Sequence, residues 1–152
     1  MFFQIGFLSD SIEPSVTWEK CNDLYLNVLK FWNEELEGRK IKHSISIRLS
    51  QVYHEGACMY LYYGIGNTGD QNQLQIFEEL AQMLKDVIRA NGGTLSHHHG
   101  IGKKNASRYG AAVSEVGVNV FKAVKKEVDP NNIFAVGNLV LDDATNAISA
   151  KL

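Results

Sequence analysis

"SISIRLSQVYHEGACMYLYYGI", Ser44 to Ile65, decides the fold. In its first half Ile45, Ile47, Leu49 and Tyr53 alternate with Ser44, Ser46, Arg48, Ser50 and Val52. Period two is the mark of a strand with one apolar face. In its second half Ala57, Met59, Leu61, Tyr63 and Ile65 point one way, and Cys58, Tyr60, Tyr62 and Gly64 the other. His54-Glu55-Gly56 between them suits a three-residue hairpin loop with glycine in the left-handed position. That loop predicts Tyr53 opposite Ala57, Val52 opposite Cys58, Ser50 opposite Tyr60 and Arg48 opposite Tyr62. One face of the hairpin is then aliphatic and suited to helices. The other carries Ser46, Arg48, Ser50, Cys58, Tyr60 and Tyr62. It is too polar for a covered core and too aromatic for plain solvent, so it reads as the wall of a cavity.

Working outward, Phe2 to Leu8 has the aromatic and β-branched character of a strand, and "SDSIEPS" reads as a loop. From Ser15 to Glu37 the residues Cys21, Leu24, Tyr25, Val28, Leu29, Trp32 and Leu36 recur at threes and fours, which predicts an amphipathic helix. Gly38 is placed to cap it. A second helix is expected from Leu74 to Ala90, ended by Asn91-Gly92-Gly93. A third is expected from Val113 to Val128, with Val116, Val120, Ala123 and Val124 inward, before Asp129-Pro130 breaks it. The order β-α-β-β-α-α indicates an α+β class: an antiparallel sheet with helices packed on one face.

Composition narrows the function classes. Fifteen Lys and Arg against seventeen Asp and Glu leave a net charge of −2, with no basic footprint for nucleic acid. Two cysteines, Cys21 and Cys58, have no metal-type spacing and form no disulfide framework. No apolar run approaches the roughly 18 residues of a membrane span. The apolar N-terminus lacks the basic start and cleavage site of a signal peptide, and a chain that opens directly into a strand suggests part of a longer protein.

The chemistry concentrates in "GGTLSHHHGIGKK", Gly92 to Lys104. In an extended stretch adjacent side chains alternate, so His97 and His99 would share one side and His98 the other. With His43 and His54 assigned to strand ends, the ligand count falls short of a zinc site, and no metal is assigned. Backbone N–H groups of the glycine-rich turn with Lys103, Lys104 and Arg108 could hold a phosphate. Histidine is also the natural proton-transfer group near neutral pH. Tyr60, on the polar hairpin face beside Arg48 and Tyr62, is a candidate partner, because a nearby cation favours the phenolate form of a tyrosine.

"GACMYLYYGIG", "NGGTLSHHHGIGK" and "VKKEVDPNNIF" together resemble the C-terminal part of the alkyldihydroxyacetonephosphate synthase family (alkylglycerone-phosphate synthases), over roughly residues 3 to 141. "DPNNIF" is shared more widely among FAD-linked oxidase C-terminal domains. Relatives there that oxidise 2-hydroxy acids carry Glu-His-Gly-x-Gly, where this chain has His98-His99-Gly100-Ile101-Gly102. They also carry a His-x-Gly-Asp-Gly-Asn-x-His motif. Placed on this chain, its histidines become Tyr53 and Tyr60, or Tyr62 and Gly69, and leave no ligand pair. A 2-hydroxy-acid dehydrogenase or oxidase domain is the alternative reading.

The resemblance implies part of the substrate-binding cap of a vanillyl-alcohol-oxidase-like flavoprotein over residues 1–141, followed by a flexible tail at 142–152. It implies an enzyme that exchanges the acyl chain of acyl-dihydroxyacetone phosphate for a fatty alcohol in ether-lipid synthesis, using FAD that ends the cycle unreduced. It assigns proton removal from the substrate carbon to Tyr60 and an essential role to His97, His98 and His99. The phosphate role of Arg48, Lys103, Lys104 or Arg108 and a cofactor contact at Asn138 are further expectations. So are an FAD-binding domain upstream in the same chain, a full-length homodimer and peripheral membrane association. No GxGxxG follows a strand here, so the chain alone is expected to bind FAD weakly and to be inactive. Ala150-Lys151-Leu152 is similar to the Ser-Lys-Leu peroxisomal address, which implies a peroxisome or glycosome.

Overall fold

The computed structural model describes residues 6–139 of the 152. The elements are β1 (Leu8–Ile12), β2 (Ser15–Thr17), α1 (Trp18–Gly38), β3 (His43–Val52), β4 (Gly56–Ile65), α2 (Gln73–Ala90) and α3 (Ala106–Val128). The chain divides after His99 into two units. The first holds the sheet, α1 and α2; the second holds α3.

β4 is the axis of the sheet because both its edges are paired. β3 runs antiparallel along one edge. Along the other, β1 takes Leu61 to Ile65 and β2 takes Gly56 to Cys58, end to end. The α+β class with an antiparallel sheet is therefore present. Of the strand expected at Phe2 to Leu8, Phe2 to Ile5 lie outside the described residues, Gly6 and Phe7 are not strand, and Leu8 opens β1. β1 lies mostly in the expected loop, and β2 lies where that loop meets the helix expected from Ser15. Ser9, Ser11 and Ser15 gave no strand signal because they face the polar side of the sheet, opposite Gly64, Tyr62 and Cys58.

The core lies on the aliphatic face. Leu8, Ile12, Val16, Met59, Leu61, Tyr63 and Ile65 meet Leu24, Val28, Trp32 and Leu36 of α1 and Phe77, Leu80, Ala81, Leu84 and Ile88 of α2. Trp32 packs edge-on against Tyr63 at 5.1 Å between ring centroids, and its indole N–H donates to Ser44 O. Burial pushes the Tyr63 phenol well above its ordinary range, with Asp10 adding to the effect. Lys40, with φ of 57°, carries the positive φ after α1; Gly38 remains helical. Gly92, at φ of 81°, follows α2 as expected.

The hairpin keeps its two faces but not its expected register. Arg48 lies opposite Tyr60, Ser46 opposite Tyr62 and Val52 opposite Ala57. The ladder skips Ser50 between Leu49 and Gln51, a β-bulge. The extra residue inverts the alternation beyond it: Val52 passes to the aliphatic side and Gln51 to the polar side. Tyr53 follows, and its hydroxyl reaches His97 rather than the core. Gly56 does not adopt the left-handed conformation. It is needed because a Cβ there would come within 2.0 Å of Val16 O, where β2 crosses the start of β4.

In the second unit α3 starts earlier than expected and contains a break at Ser114, with φ of 71° and ψ of 165°. Val116, Val120 and Val124, expected inward, are exposed, as is Ala123. Asp129 closes the helix. Its carboxylate pairs with Lys125 and accepts the backbone N–H groups of Ile133 and Phe134. These contacts, the Lys125 bond first, lower its pKa to about 2.

Candidate active site

The histidine triplet is placed by a strand-like attachment just before it. Thr94 N–H donates to Ser15 O and His97 N–H donates to Glu13 O, while Ser15 N–H donates to the Thr94 hydroxyl. The Glu13-Pro14 link between β1 and β2 is itself pinned to β4 through Met59 N–H and Pro14 O. The two segments, distant in sequence, thus lie side by side over the polar face of β4.

Beyond His97 the backbone bends instead of running extended. The alternation assumed from sequence therefore does not hold. His98 and His99 pack edge to face with ring centroids 4.3 Å apart. Both turn to the same carboxylate: His98 Nδ1 lies 2.7 Å and His99 Nε2 3.8 Å from Glu13 Oε2. His97 Nε2 shares a hydrogen bond with the Tyr53 hydroxyl, 2.8 Å away. Desolvation, then Cys58 and Glu13, raise the Tyr53 pKa. Desolvation and Glu13 likewise raise the Cys58 thiol.

Glu13 is the residue that sequence reasoning missed. It is only 4% exposed. Its Oε1 accepts from the hydroxyl of Ser50, the bulge residue. Its Oε2 is buried and has no well-aligned hydrogen bond, only the two imidazoles before it. A buried carboxylate is costly unless it is paired. The weak available signal was an acidic residue set between the apolar Ile12 and Pro14.

Tyr60 lies at the centre. Its hydroxyl is 3.4 Å from His99 Nε2 and 3.4 Å from the Ser11 hydroxyl. Its ring stacks on Tyr62 at 4.6 Å, and the Arg48 guanidinium lies over both rings, 5.4 Å from one and 5.6 Å from the other. Arg48 also donates to the Tyr62 hydroxyl. The structure thus brings together Tyr60, His97, His98, His99 and Arg48. Lys103, Lys104, Arg108 and Asn138 belong to the second unit, where Asn138 N–H donates to Ala135 O and Leu139 N–H to Gly102 O. Ala150, Lys151 and Leu152 lie outside the described residues.

Two groups among the described residues have the donor types of a metal site. They are Glu13 with Cys58 and His97, and Glu13 with His98 and His99; in each the ligand atoms lie within 4.8 Å of one another. For a flavin, the exposed Tyr62, the half-buried Tyr60 and Arg48 offer an aromatic and cationic surface suited to a planar ring and an anionic substrate. The loop before α2 is no pyrophosphate cradle. Asn67, Thr68 and Asp70 side chains already accept the N–H groups of Gly69, Asp70 and Asn72.

The sequence matches the family "FAD linked oxidases, C-terminal domain" over residues 2–139. It is 38% identical over 137 residues to an alkyldihydroxyacetonephosphate synthase of Caenorhabditis elegans, covering 89% of this chain and 23% of that protein. It is 29% identical over 135 residues to the enzyme of that name from Trypanosoma brucei brucei, covering 89% and 22%. Glycolate oxidase subunit GlcD of Bacillus subtilis is 26% identical over 111 residues, covering 68% and 24%. The chain therefore spans about a quarter of the length of these relatives. A solved alkyldihydroxyacetonephosphate synthase shares the fold with a TM-score of 0.58 at 21% identity, over 82% of this chain and 19% of that one.

Proposed function

The chain belongs to the FAD-linked oxidase C-terminal domain family, and from that premise we propose that it supplies the substrate side of an alkylglycerone-phosphate synthase. The reaction replaces the fatty acyl group of an acyl-dihydroxyacetone phosphate with a fatty alcohol, giving alkyl-dihydroxyacetone phosphate and a free fatty acid. The observation that carries this reading is the Tyr60–His99–Glu13 arrangement on the open polar face of β4. The 38% identity to an enzyme of that name supports it.

The residues divide the work by position. Tyr60 is the base at the substrate carbon. Its hydroxyl proton passes to His99 Nε2, 3.4 Å away, and the phenolate oxygen takes the proton leaving carbon. His98 and Glu13 balance the charge on His99. Arg48, braced over Tyr60 and Tyr62, faces the anionic headgroup. FAD, when bound, supplies an electron-accepting ring beside the substrate; the residues here fit that ring side, and the pyrophosphate falls to an upstream FAD-binding domain. A homodimer, peripheral contact with a membrane that holds the fatty substrates, and a peroxisomal or glycosomal location complete the proposal.

The test is Tyr60→Phe and His98→Ala in the full-length enzyme. Alkyl transfer falls by about 10²-fold or more in each, the scale of a lost acid–base group, with FAD still bound. Transfer at the native rate in either variant would sink the reading. Bleaching of the bound flavin by a 2-hydroxy acid would point to oxidation instead.

A further inference from the structure

We infer that Glu13 is a positioning residue for this reaction: its buried carboxylate orients His98 and His99 and acts through His99 on Tyr60. The inference rests on the reading of Tyr60 as the base. Three observations carry it. The carboxylate is 4% exposed, yet it is held from one side only, by the Ser50 hydroxyl at Oε1. Its other oxygen is buried without a well-aligned hydrogen bond and faces two imidazole nitrogens at 2.7 and 3.8 Å. The nearer of these, His98 Nδ1, lies within ion-pair reach of Oε2, and we assign it the proton, since a carboxylate can only accept. His98 in turn packs edge to face on His99, whose Nε2 is the nitrogen within reach of Tyr60.

A carboxylate that fixes the tautomer and tilt of a catalytic imidazole without touching substrate is a recurrent solution. Here the burial is built by the fold. The bulge at Ser50 brings its hydroxyl down to Oε1, and the His97 N–H bond to Glu13 O fixes the histidine loop to the glutamate's own backbone. The titratable groups set against it are Tyr53 from β3, Cys58 from β4, and His97, His98 and His99 from the loop. Replacing Glu13 by Gln keeps its size and its bond to Ser50 and removes the charge.

The experiment pairs a spectroscopic readout with a kinetic one. In protein labelled with ¹⁵N-histidine, long-range ¹H–¹⁵N spectra show a proton on His98 Nδ1, and Glu13→Gln changes the His98 and His99 patterns while leaving His43 and His54 as they were. In the full-length enzyme Glu13→Gln lowers kcat about 10²-fold with KM unchanged and alters the pH profile of kcat, and Glu13→Asp recovers part of the loss. A kcat at the native level in Glu13→Gln, or His98 and His99 patterns indifferent to it, overturns the inference. So does one equivalent of zinc that shifts both histidines and restores a chelator-treated enzyme, which would make Glu13 a metal ligand. If Tyr60→Phe keeps full activity while the histidine patterns still answer to Glu13, the proposed function fails and the Glu13–His98 coupling stands.

Discussion

Tyr60 Oη lies 3.4 Å from His99 Nε2, and that same nitrogen lies 3.8 Å from Glu13 Oε2. A phenol, an imidazole and a carboxylate from three separate segments therefore converge on one atom. The second tyrosine–histidine contact, Tyr53 to His97 at 2.8 Å, is shorter but differently employed. Its phenol, raised in pKa by desolvation first, holds His97 and not the His99 nitrogen that Tyr60 meets. Tyr53→Phe is expected to lower alkyl transfer by less than about tenfold, against about 10²-fold or more for Tyr60→Phe. Parallel steady-state assays of the two variants make the comparison. Equal losses would remove the distinction.

Ser50→Ala removes the donor to Glu13 Oε1. A buried acceptor left without its partner costs about 1–3 kcal/mol. Urea unfolding of the variant should show a lower midpoint with an unchanged slope. A midpoint within error of the native protein would mean that Glu13 finds another donor.

Gly56→Ala places a methyl 2.0 Å from Val16 O. The obstruction is backbone, so β2 must leave the edge of β4 and draw the Glu13-Pro14 link with it. A loss of at least about 2 kcal/mol is expected, on the scale of steric faults at constrained backbone sites. Hydrogen exchange at Met59, whose N–H donates to Pro14 O, should speed up in the variant. Unchanged protection there would contradict the account.

Asp129 titrates at about 2 in the folded protein, below its ordinary value of 3.8. A depressed folded pKa stabilises above the unfolded value and loses that contribution as pH falls through the folded one. The turn after α3 should thus hold at pH 5 and above and loosen between about pH 4 and 2. Carboxyl ¹³C shifts of Asp129 followed over that range provide the check. Asp129→Asn should abolish this part of the acid dependence.

The C-terminal Ala150-Lys151-Leu152 is proposed as a peroxisomal address. Deleting Leu152 should leave a fluorescently tagged full-length protein in the cytosol. Unchanged punctate localisation would show that the address lies elsewhere.

The two faces of the hairpin were legible because period two survives any pairing that keeps the alternation in phase. Arg48, Tyr60 and Tyr62 were for that reason assigned to the polar side correctly. The bulge was not legible, since a serine at position 50 suits a strand or a bulge equally. It moved Tyr53 from the expected core to His97. Glu13 was overlooked for a different cause. Its role comes from a backbone attachment to Thr94–His97, and sequence spacing carries no trace of a long-range pairing. The histidine geometry failed on a premise: alternation belongs to extended chain, and His97 to His99 bend.

That attachment has a consequence for anyone who would move the triplet. Thr94 and His97 are anchored to Ser15 and Glu13 by main-chain bonds, so "SHHHG" has no shape of its own to carry elsewhere. A peptide of the loop, or a graft of it onto another scaffold, would present three unrelated imidazoles. The unit that can be transplanted is the pair of strands' worth of chain, Ser11 to Val16 with Thr94 to His99, and the two halves have to travel together.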